Sequence, residues 1–153
     1  MMEIAVKLLV PVLLAGMTLA PAAQARVCAV NLDSTDQMSF SQKEIKVAGD
    51  CTQVKLTLRH TGKLAATAMG HNWVLTRSAD YQPVAMAGMR MTLADSYLPK
   101  KDARVLAHTA VIGGGQSTSV TFSTAALRKG GDYTFFCSFP GHFAMMKGRL
   151  VFG

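Results

Sequence analysis

Short alternations of apolar and polar residues dominate the chain after residue 25. Residues 53–60, QVKLTLRH, are apolar at every second position, which is typical of a half-buried strand. Five further short stretches are strand candidates: 71–76, 104–108, 117–122, 133–137 and 147–152. Gly, Asp and Thr punctuate these stretches, and short strands separated by turn signals predict an all-β sandwich.

One segment departs from this alternation. Between residues 80 and 97, Met86, Met89 and Leu93 recur at a spacing that fits a helix better than a strand. Asp80 is a suitable residue to cap the start of such a helix. We therefore predict a β-sandwich with one helical insertion around residues 80–97.

Residues 1–25 have the features of a cleaved secretory signal. A lysine precedes a short apolar run, and Ala23-Gln24-Ala25 is a small-x-small cleavage motif. A membrane anchor is the alternative, but the run is shorter than the roughly 20 residues of a spanning helix and contains Pro11. We predict cleavage before Arg26, which leaves residues 26–153 as one exported domain with no membrane span.

The chain is basic, with 16 Lys and Arg against 9 Asp and Glu and a formal net charge of +7. Such a charge suits nucleic acid, an anionic surface or acidic protein partners. The basic residues are scattered, and only Lys100-Lys101 and Arg128-Lys129 are adjacent. This distribution argues against nucleic acid and favours a solvated basic surface with a bias toward acidic partners.

Three cysteines follow the leader, an odd number for an oxidising compartment. Either one thiol is free and reactive, or it has a specific function. The economical division joins Cys28 to Cys51 in a disulfide and reserves Cys137, in an aromatic-rich segment, for that function. A free thiol outside the cytosol would oxidise unless it were buried or bound to a soft metal.

Residues 137–146, CSFPGHFAMM, place a thiolate, an imidazole and a thioether in one loop, at Cys137, His142 and Met146. Soft sulfur ligands select Cu(I), zinc or iron–sulfur clusters, and imidazole suits copper and zinc. His71 is the best candidate for a second imidazole. Two histidines and a cysteine with a distant axial methionine form a blue-copper electron-transfer site.

The neighbours of this ligand set suit a dry electron-transfer site. Pro140 has no N–H to donate to the sulfur, and Phe136, Phe139 and Phe143 are expected to exclude water and tune the potential. The Asn72 amide, next to His71, is expected to tie the two ligand loops together.

Five segments resemble the azurins, bacterial periplasmic blue copper proteins of the cupredoxin superfamily. In azurin order they are DQMSF at 36–40, MGHNWVL at 69–75, RVLAHT at 104–109, SVTF at 119–122 and FFCSFPGHFAMMKG at 135–148. The resemblance implies a Greek-key, cupredoxin-like sandwich and a Cys28–Cys51 disulfide. It also implies one copper ion, with Met146 rather than Met145 as the axial sulfur. The implied ligands are His71, Cys137 and His142, with weak axial contacts from Met146 and the Gly70 carbonyl.

The resemblance further implies a monomeric periplasmic electron carrier with no enzymatic activity. The copper would cycle between Cu(II) and Cu(I), and the electron would leave through His142. The implied partners are a small c-type cytochrome, a copper nitrite reductase or a periplasmic dehydrogenase. They would dock on an apolar patch formed by Met38, Leu64, Met69, Met89, Phe139, Gly141 and Met145.

The residues alone leave two other functions open. A copper enzyme would need more histidines, but only His60 and His108 remain and the chain has no His-x-His pair. A zinc or copper storage module would use the same ligands without electron transfer.

Five further residues have simpler interpretations. His60 is either a redox-linked, pH-sensitive group, as the family suggests, or a strand histidine satisfied by the backbone. We expect His108 on the surface and Trp73 in the core. Met86 and Met91 are expected to fill gaps between apolar side chains.

Overall fold

The computed structural model describes residues 25–153, which form two sheets packed face to face. The four-stranded sheet contains, in spatial order, β2 (Ser39–Phe40), β1 (Val27–Thr35), β4 (Gln53–His60) and β7 (Ser117–Ser123). The five-stranded sheet contains β3 (Glu44–Val47), β9 (Lys147–Phe152), β8 (Tyr133–Phe136), β5 (Val74–Arg77) and β6 (Ala107–His108). The predicted signal segment lies outside the described residues, apart from Ala25.

Strand pairing places distant parts of the chain side by side. β1 pairs in parallel with β4, and β3 pairs in parallel with β9, whereas the β5–β8 and β8–β9 pairs are antiparallel. The chain crosses between the two sheets several times, and the predicted all-β sandwich with a helical insertion is confirmed.

Alternation along the strands builds the core between the sheets. Val54, Leu56 and Leu58 of β4 are buried, and the intervening residues face outward. Trp73 is fully buried and stacks on Phe135, with 6.3 Å between the ring centroids. This placement agrees with the expectation that Trp73 is a core residue.

The insertion contains less helix than its sequence suggested. An α-helix spans Tyr81–Gly88, a 3-10 turn spans Leu93–Asp95, and a further short helix covers Ala66–Met69 before the insertion. Asp80 occupies the N-cap position, but its side chain makes no capping hydrogen bond.

The long helix buries a different face from the one expected. Val84 and Ala85 pack on the sheet and Gly88 lies against the Tyr97 carbonyl, whereas Met86 is 51% exposed. The expectation that Met86 fills a gap between apolar side chains is therefore wrong, because Val84, Ala85 and Gly88 form the buried face of the helix instead.

Two local findings complete the fold. Cys28 on β1 and Cys51 just before β4 form the predicted disulfide, which confirms that pairing. Among the described residues, no helix is both long and apolar enough to cross a bilayer.

Candidate metal centre

Three side chains meet at one end of the sandwich. The ligand atoms of His71, Cys137 and His142 all lie within 4.8 Å of one another. The Cys137 Sγ is 3.9 Å from the Nδ1 of His71 and 3.8 Å from the Nδ1 of His142. All three side chains are buried, so a metal ion bound here would be shielded from water.

Backbone hydrogen bonds fix the loop that carries two of these groups. Cys137 directly follows β8, and its N–H donates to the Met146 carbonyl at 2.9 Å. His142 begins a 3-10 turn, His142–Ala144, and its carbonyl accepts from the Met146 N–H at 2.8 Å. Met146 is fully buried just before β9. The loop thus starts and ends on adjacent strands, which restricts its movement.

His71 is held from the other side of the site. Its backbone N–H and carbonyl both pair with Ile112, at 3.0 and 2.9 Å. Its Nε2–H donates to the Thr35 carbonyl at 2.8 Å, because a carbonyl can only accept. The Nδ1 atom is therefore the one with a free lone pair, and it is the atom nearest the sulfur.

Burial sets the protonation of the three groups before any metal binds. Burial lowers the pKa of His71 to about 4 and also lowers the pKa of His142, so both rings are neutral ligands near neutral pH. Burial raises the pKa of the Cys137 thiol to about 12, although the backbone N–H groups of Asn72 and Phe139 act in the opposite direction. The sulfur therefore keeps its proton until a cation replaces it.

The donor set fits a soft or borderline metal. One buried sulfur and two neutral ring nitrogens converge, and the Gly70 carbonyl lies 3.8 Å from the sulfur. This combination suits copper, and zinc could use the same nitrogens and sulfur.

The position of the Gly70 carbonyl depends on the absence of a side chain. A Cβ atom at Gly70 would collide with the Ala66 carbonyl and come within 2.6 Å of a Val111 methyl. Its φ of −70° is accessible to any residue, so close packing and not backbone conformation requires glycine here.

Asn72 joins the two ligand loops, as its position next to His71 suggested. Its Oδ1 accepts from the Ser138 N–H at 2.9 Å, and its Nδ2 donates to the Ser138 Oγ at 2.8 Å. The Nδ2 also lies 3.2 Å from the Ser96 carbonyl, which accepts from the Ser138 hydroxyl at 2.7 Å. All three residues are buried, so this network holds the backbone beside Cys137 in place.

Aromatic rings pack around the second histidine. The Phe139 ring lies 4.5 Å from the His142 ring, centroid to centroid, and 5.2 Å from the Tyr97 ring. Phe139 and Pro140 are partly buried beside the site, and His142 itself is only 4% exposed. Solvent therefore reaches no more than an edge of the His142 ring.

The residues of the expected apolar patch lie largely at the surface. Met69 and Phe139 are half-buried and Gly141 is exposed. The large exposed side chains of the set are Met38 at 37%, Leu64 at 45%, Met89 at 46% and Met145 at 65%. Large exposed apolar side chains mark interaction sites in soluble proteins where they group into one patch.

His60 is satisfied by the backbone on both ring nitrogens. Its Nε2–H donates to the Met69 carbonyl at 2.9 Å, and its Nδ1 accepts from the Gly62 N–H at 3.0 Å. The ring is fully buried and stacks on His71 at 4.4 Å. This is the geometry of the strand-histidine interpretation. His108, by contrast, is exposed as expected.

Three contributors to the site were not predicted from the sequence: Thr35, Ser96 and Ser138. Thr35 and Ser96 act through their backbone carbonyls. Since every residue has a backbone carbonyl, the residue types at these positions could not predict this role. Ser138 directly follows Cys137, and that adjacency was the one available sign.

A mixed-strand sandwich with a buried His-Cys-His cluster at one end is the arrangement of a copper protein. A family model described as copper binding proteins, plastocyanin/azurin family, matches residues 26–153. The chain belongs to this family. The expectations of a blue copper electron carrier that acts with redox partners, and of a protein that is not an enzyme, are thereby confirmed.

Individual relatives agree with this assignment. The chain is 54% identical over 141 residues to an azurin of Bordetella pertussis, which covers 90% of this chain and 94% of that protein. It is also 54% identical over 123 residues to azurin-1 of Alcaligenes xylosoxydans xylosoxydans, and this match covers 80% of this chain and 95% of that protein. A solved azurin (Az-iso2) from the methylotroph Methylomonas sp. strain J superposes with a TM-score of 0.80 at 42% identity, over 82% of this chain and 98% of that one.

Proposed function

We propose that His71, Cys137 and His142 would hold one copper ion, with Met146 and the Gly70 carbonyl as weaker contacts. When bound there, copper alternates between Cu(II) and Cu(I) and so carries one electron. The observation that supports this most directly is the convergence of the three ligand atoms within 4.8 Å in a buried site.

The protein contributes rigidity and dryness. The Thr35 carbonyl orients His71, and the Asn72 network holds the backbone that follows Cys137. Ligands that are fixed before the metal arrives move little when its charge changes, which keeps the cost of reorganisation low. Pro140 offers no N–H to the sulfur, and Phe139 restricts solvent at His142.

The electron is proposed to leave through the accessible edge of His142 and through the apolar patch around it. The protein is proposed to work as a monomer. Candidate partners are a small c-type cytochrome, a copper nitrite reductase or a periplasmic dehydrogenase. An apolar patch of this kind suits brief encounters, because exposed methionines adapt to more than one partner surface.

The proposed location is the periplasm, after removal of residues 1–25. The supporting features are the apolar run and the AQA motif. Amino-terminal sequencing of the protein from a periplasmic extract is expected to begin at Arg26, and a sequence that begins at Met1 would contradict cleavage.

Metal titration of the apoprotein tests the proposed function against zinc binding or storage. Adding Cu(II) is expected to produce an intense visible band from the thiolate-to-copper transition, together with a reversible one-electron wave. Zn(II) is the matched control, since it can occupy the same ligands without colour or redox activity. A colourless copper-loaded protein without a wave would reject the electron-carrier proposal.

Substitution Met145→Gln tests the apolar patch without changing charge. Met145 is 65% exposed, and a polar amide there would lose water on docking. We expect electron self-exchange between the Cu(I) and Cu(II) forms to slow about fivefold, equivalent to about 1 kcal/mol. Met86→Gln is the control, because Met86 is 51% exposed but lies outside the patch. Equal slowing in both variants would contradict the patch assignment.

A further inference from the structure

The outer face of the five-stranded sheet is divided into a covered half and an exposed half. The helix Tyr81–Gly88 covers one half, where Val84 and Ala85 join Val74 and Phe136 in an apolar cluster. On β3 and β9, in contrast, every residue that faces outward is at least partly exposed.

Strand register gathers basic side chains on this exposed half. Lys147 and Arg149 point outward from β9, while Leu150 and Phe152 enter the core. Arg149 pairs with Glu44 of β3, and Val151 pairs with Lys46. Lys43 precedes β3, and its carbonyl accepts from the Arg149 N–H at 2.8 Å. We call this set the basic strip: Lys43, Lys46, Lys147 and Arg149.

Nearby carboxylates cancel only part of this charge, because the four cations of the strip face two acidic residues, Glu44 and Asp132. Glu44 lies 3.5 Å from Lys46, but the two side chains are 47% and 79% exposed, so the pair is weak. Asp132 lies near the strip and accepts from the Ser78 hydroxyl at 2.8 Å. Four other carboxylates of the described residues pair with cations elsewhere: Asp33 with Arg59, Asp50 with Arg26, Asp95 with Lys100, and Asp102 with Arg104. Asp36 accepts from the backbone N–H groups of Lys63 and Leu64, beside the apolar patch.

The basic strip is continuous with the apolar patch. The Lys43 Nζ donates to the Met145 carbonyl at 3.1 Å, and Met145 belongs to that patch. Lys147 follows Met146 directly, and its Nζ donates to the Tyr81 hydroxyl at 3.0 Å. A protein that covers Met145 therefore also comes within reach of the strip's positive charge.

We propose that the basic strip is a second part of the docking surface and that it selects an acidic redox protein. The partner's apolar surface, where its own electron enters or leaves, would cover the apolar patch. Carboxylates beside that surface of the partner would then face the basic strip. Such complementarity steers the encounter and fixes its orientation more than it tightens the complex. This inference rests on the proposed function, since it assumes that electrons cross at the patch.

The test compares two double variants with the same change in net charge. Lys46→Gln with Arg149→Gln neutralises two positions of the strip without touching the patch or the ligands. Lys55→Gln with Lys101→Gln is the control, because Lys55 lies on the other sheet and Lys101 in the segment before β6. Copper-loaded forms of both are mixed by stopped flow with a purified c-type cytochrome of net negative charge, at ionic strengths of about 0.01 and 1 M, where the screening length falls from about 30 to 3 Å.

At low ionic strength the strip variant is expected to exchange electrons about tenfold more slowly than the unaltered protein, and the control about twofold. The difference should vanish at high ionic strength. Equal slowing in both variants would overturn the inference in favour of a general net-charge effect. Unchanged rates in the strip variant, combined with lost binding to anionic phospholipid vesicles, would overturn it in favour of a membrane surface. Failure of the proposed function itself would be distinct, because the unaltered protein would then show no exchange at all.

Discussion

Replacing Cys137 by serine is expected to abolish both the intense visible band and the reversible one-electron wave of the copper-loaded protein. The band requires a thiolate bound to copper, and a serine hydroxyl at this buried position neither ionises near neutral pH nor offers a soft donor. Serine is close to cysteine in size, so we expect the apoprotein to fold, with a loss of about 1–2 kcal/mol from the buried hydroxyl. Absorption spectroscopy and voltammetry after copper addition measure the effect.

The double substitution Cys28→Ser with Cys51→Ser is the control for Cys137→Ser. These two cysteines form a disulfide 23 residues apart in sequence. Removing it should lower the free energy of unfolding by about 3 kcal/mol through loop entropy. The visible band and the wave should remain. A Cys137→Ser protein that kept both signals would show that the thiolate is not the copper ligand.

Replacing Asn72 by leucine is expected to lower the free energy of unfolding by about 3 kcal/mol and to weaken copper binding at least tenfold. Leucine has the same heavy-atom branching as asparagine but leaves the buried Ser138 N–H without its acceptor. The Ser138 hydroxyl would lose one partner and retain its bond to the Ser96 carbonyl. The weaker copper binding follows because partners behind the ligands orient them. Chemical denaturation of the apoprotein and copper competition with a chelator measure the two effects.

Thr76→Val is a matched control for Asn72→Leu. Thr76 is also fully buried on the strand that follows His71, but its hydroxyl has no hydrogen-bond partner in the structure. Replacing that hydroxyl by a methyl group should leave stability unchanged or raise it slightly. If Asn72→Leu were no more destabilising than Thr76→Val, the bonds to Ser138 would not be what joins the ligand loops.

Strand prediction succeeded where the apolar face is long and unbroken, and it failed where that face is short or is interrupted by a polar residue. β4 was predicted because Val54, Leu56 and Leu58 occupy every second position. β1 was missed because its inner face includes Ser34, a fully buried polar residue. β3 was missed because four residues, with only Ile45 and Val47 buried, give too short a pattern. Tertiary pairing with β9 stabilises that strand more than its own sequence does.

The metal ligands were easier to predict from the sequence than the groups that surround and orient them. Cys137, His142 and Met146 lie within ten residues, so local spacing was enough to mark them. The groups that orient the ligands come from distant segments and often from backbone atoms. The Thr35 carbonyl, for example, lies 36 positions from His71 and could be any residue's carbonyl.

The hydrogen bond between Thr35 and His71 joins the two layers of the sandwich. Thr35 ends β1 of the four-stranded sheet, whereas His71 lies three residues before β5 of the five-stranded sheet. An ion held by His71 would therefore stabilise the contact between the two sheets, because the ion binds only when the sheets are packed together. The melting temperature thus becomes a readout of metal supply. Each tenfold rise in the free ion concentration above the dissociation constant adds about 1.4 kcal/mol to the free energy of unfolding.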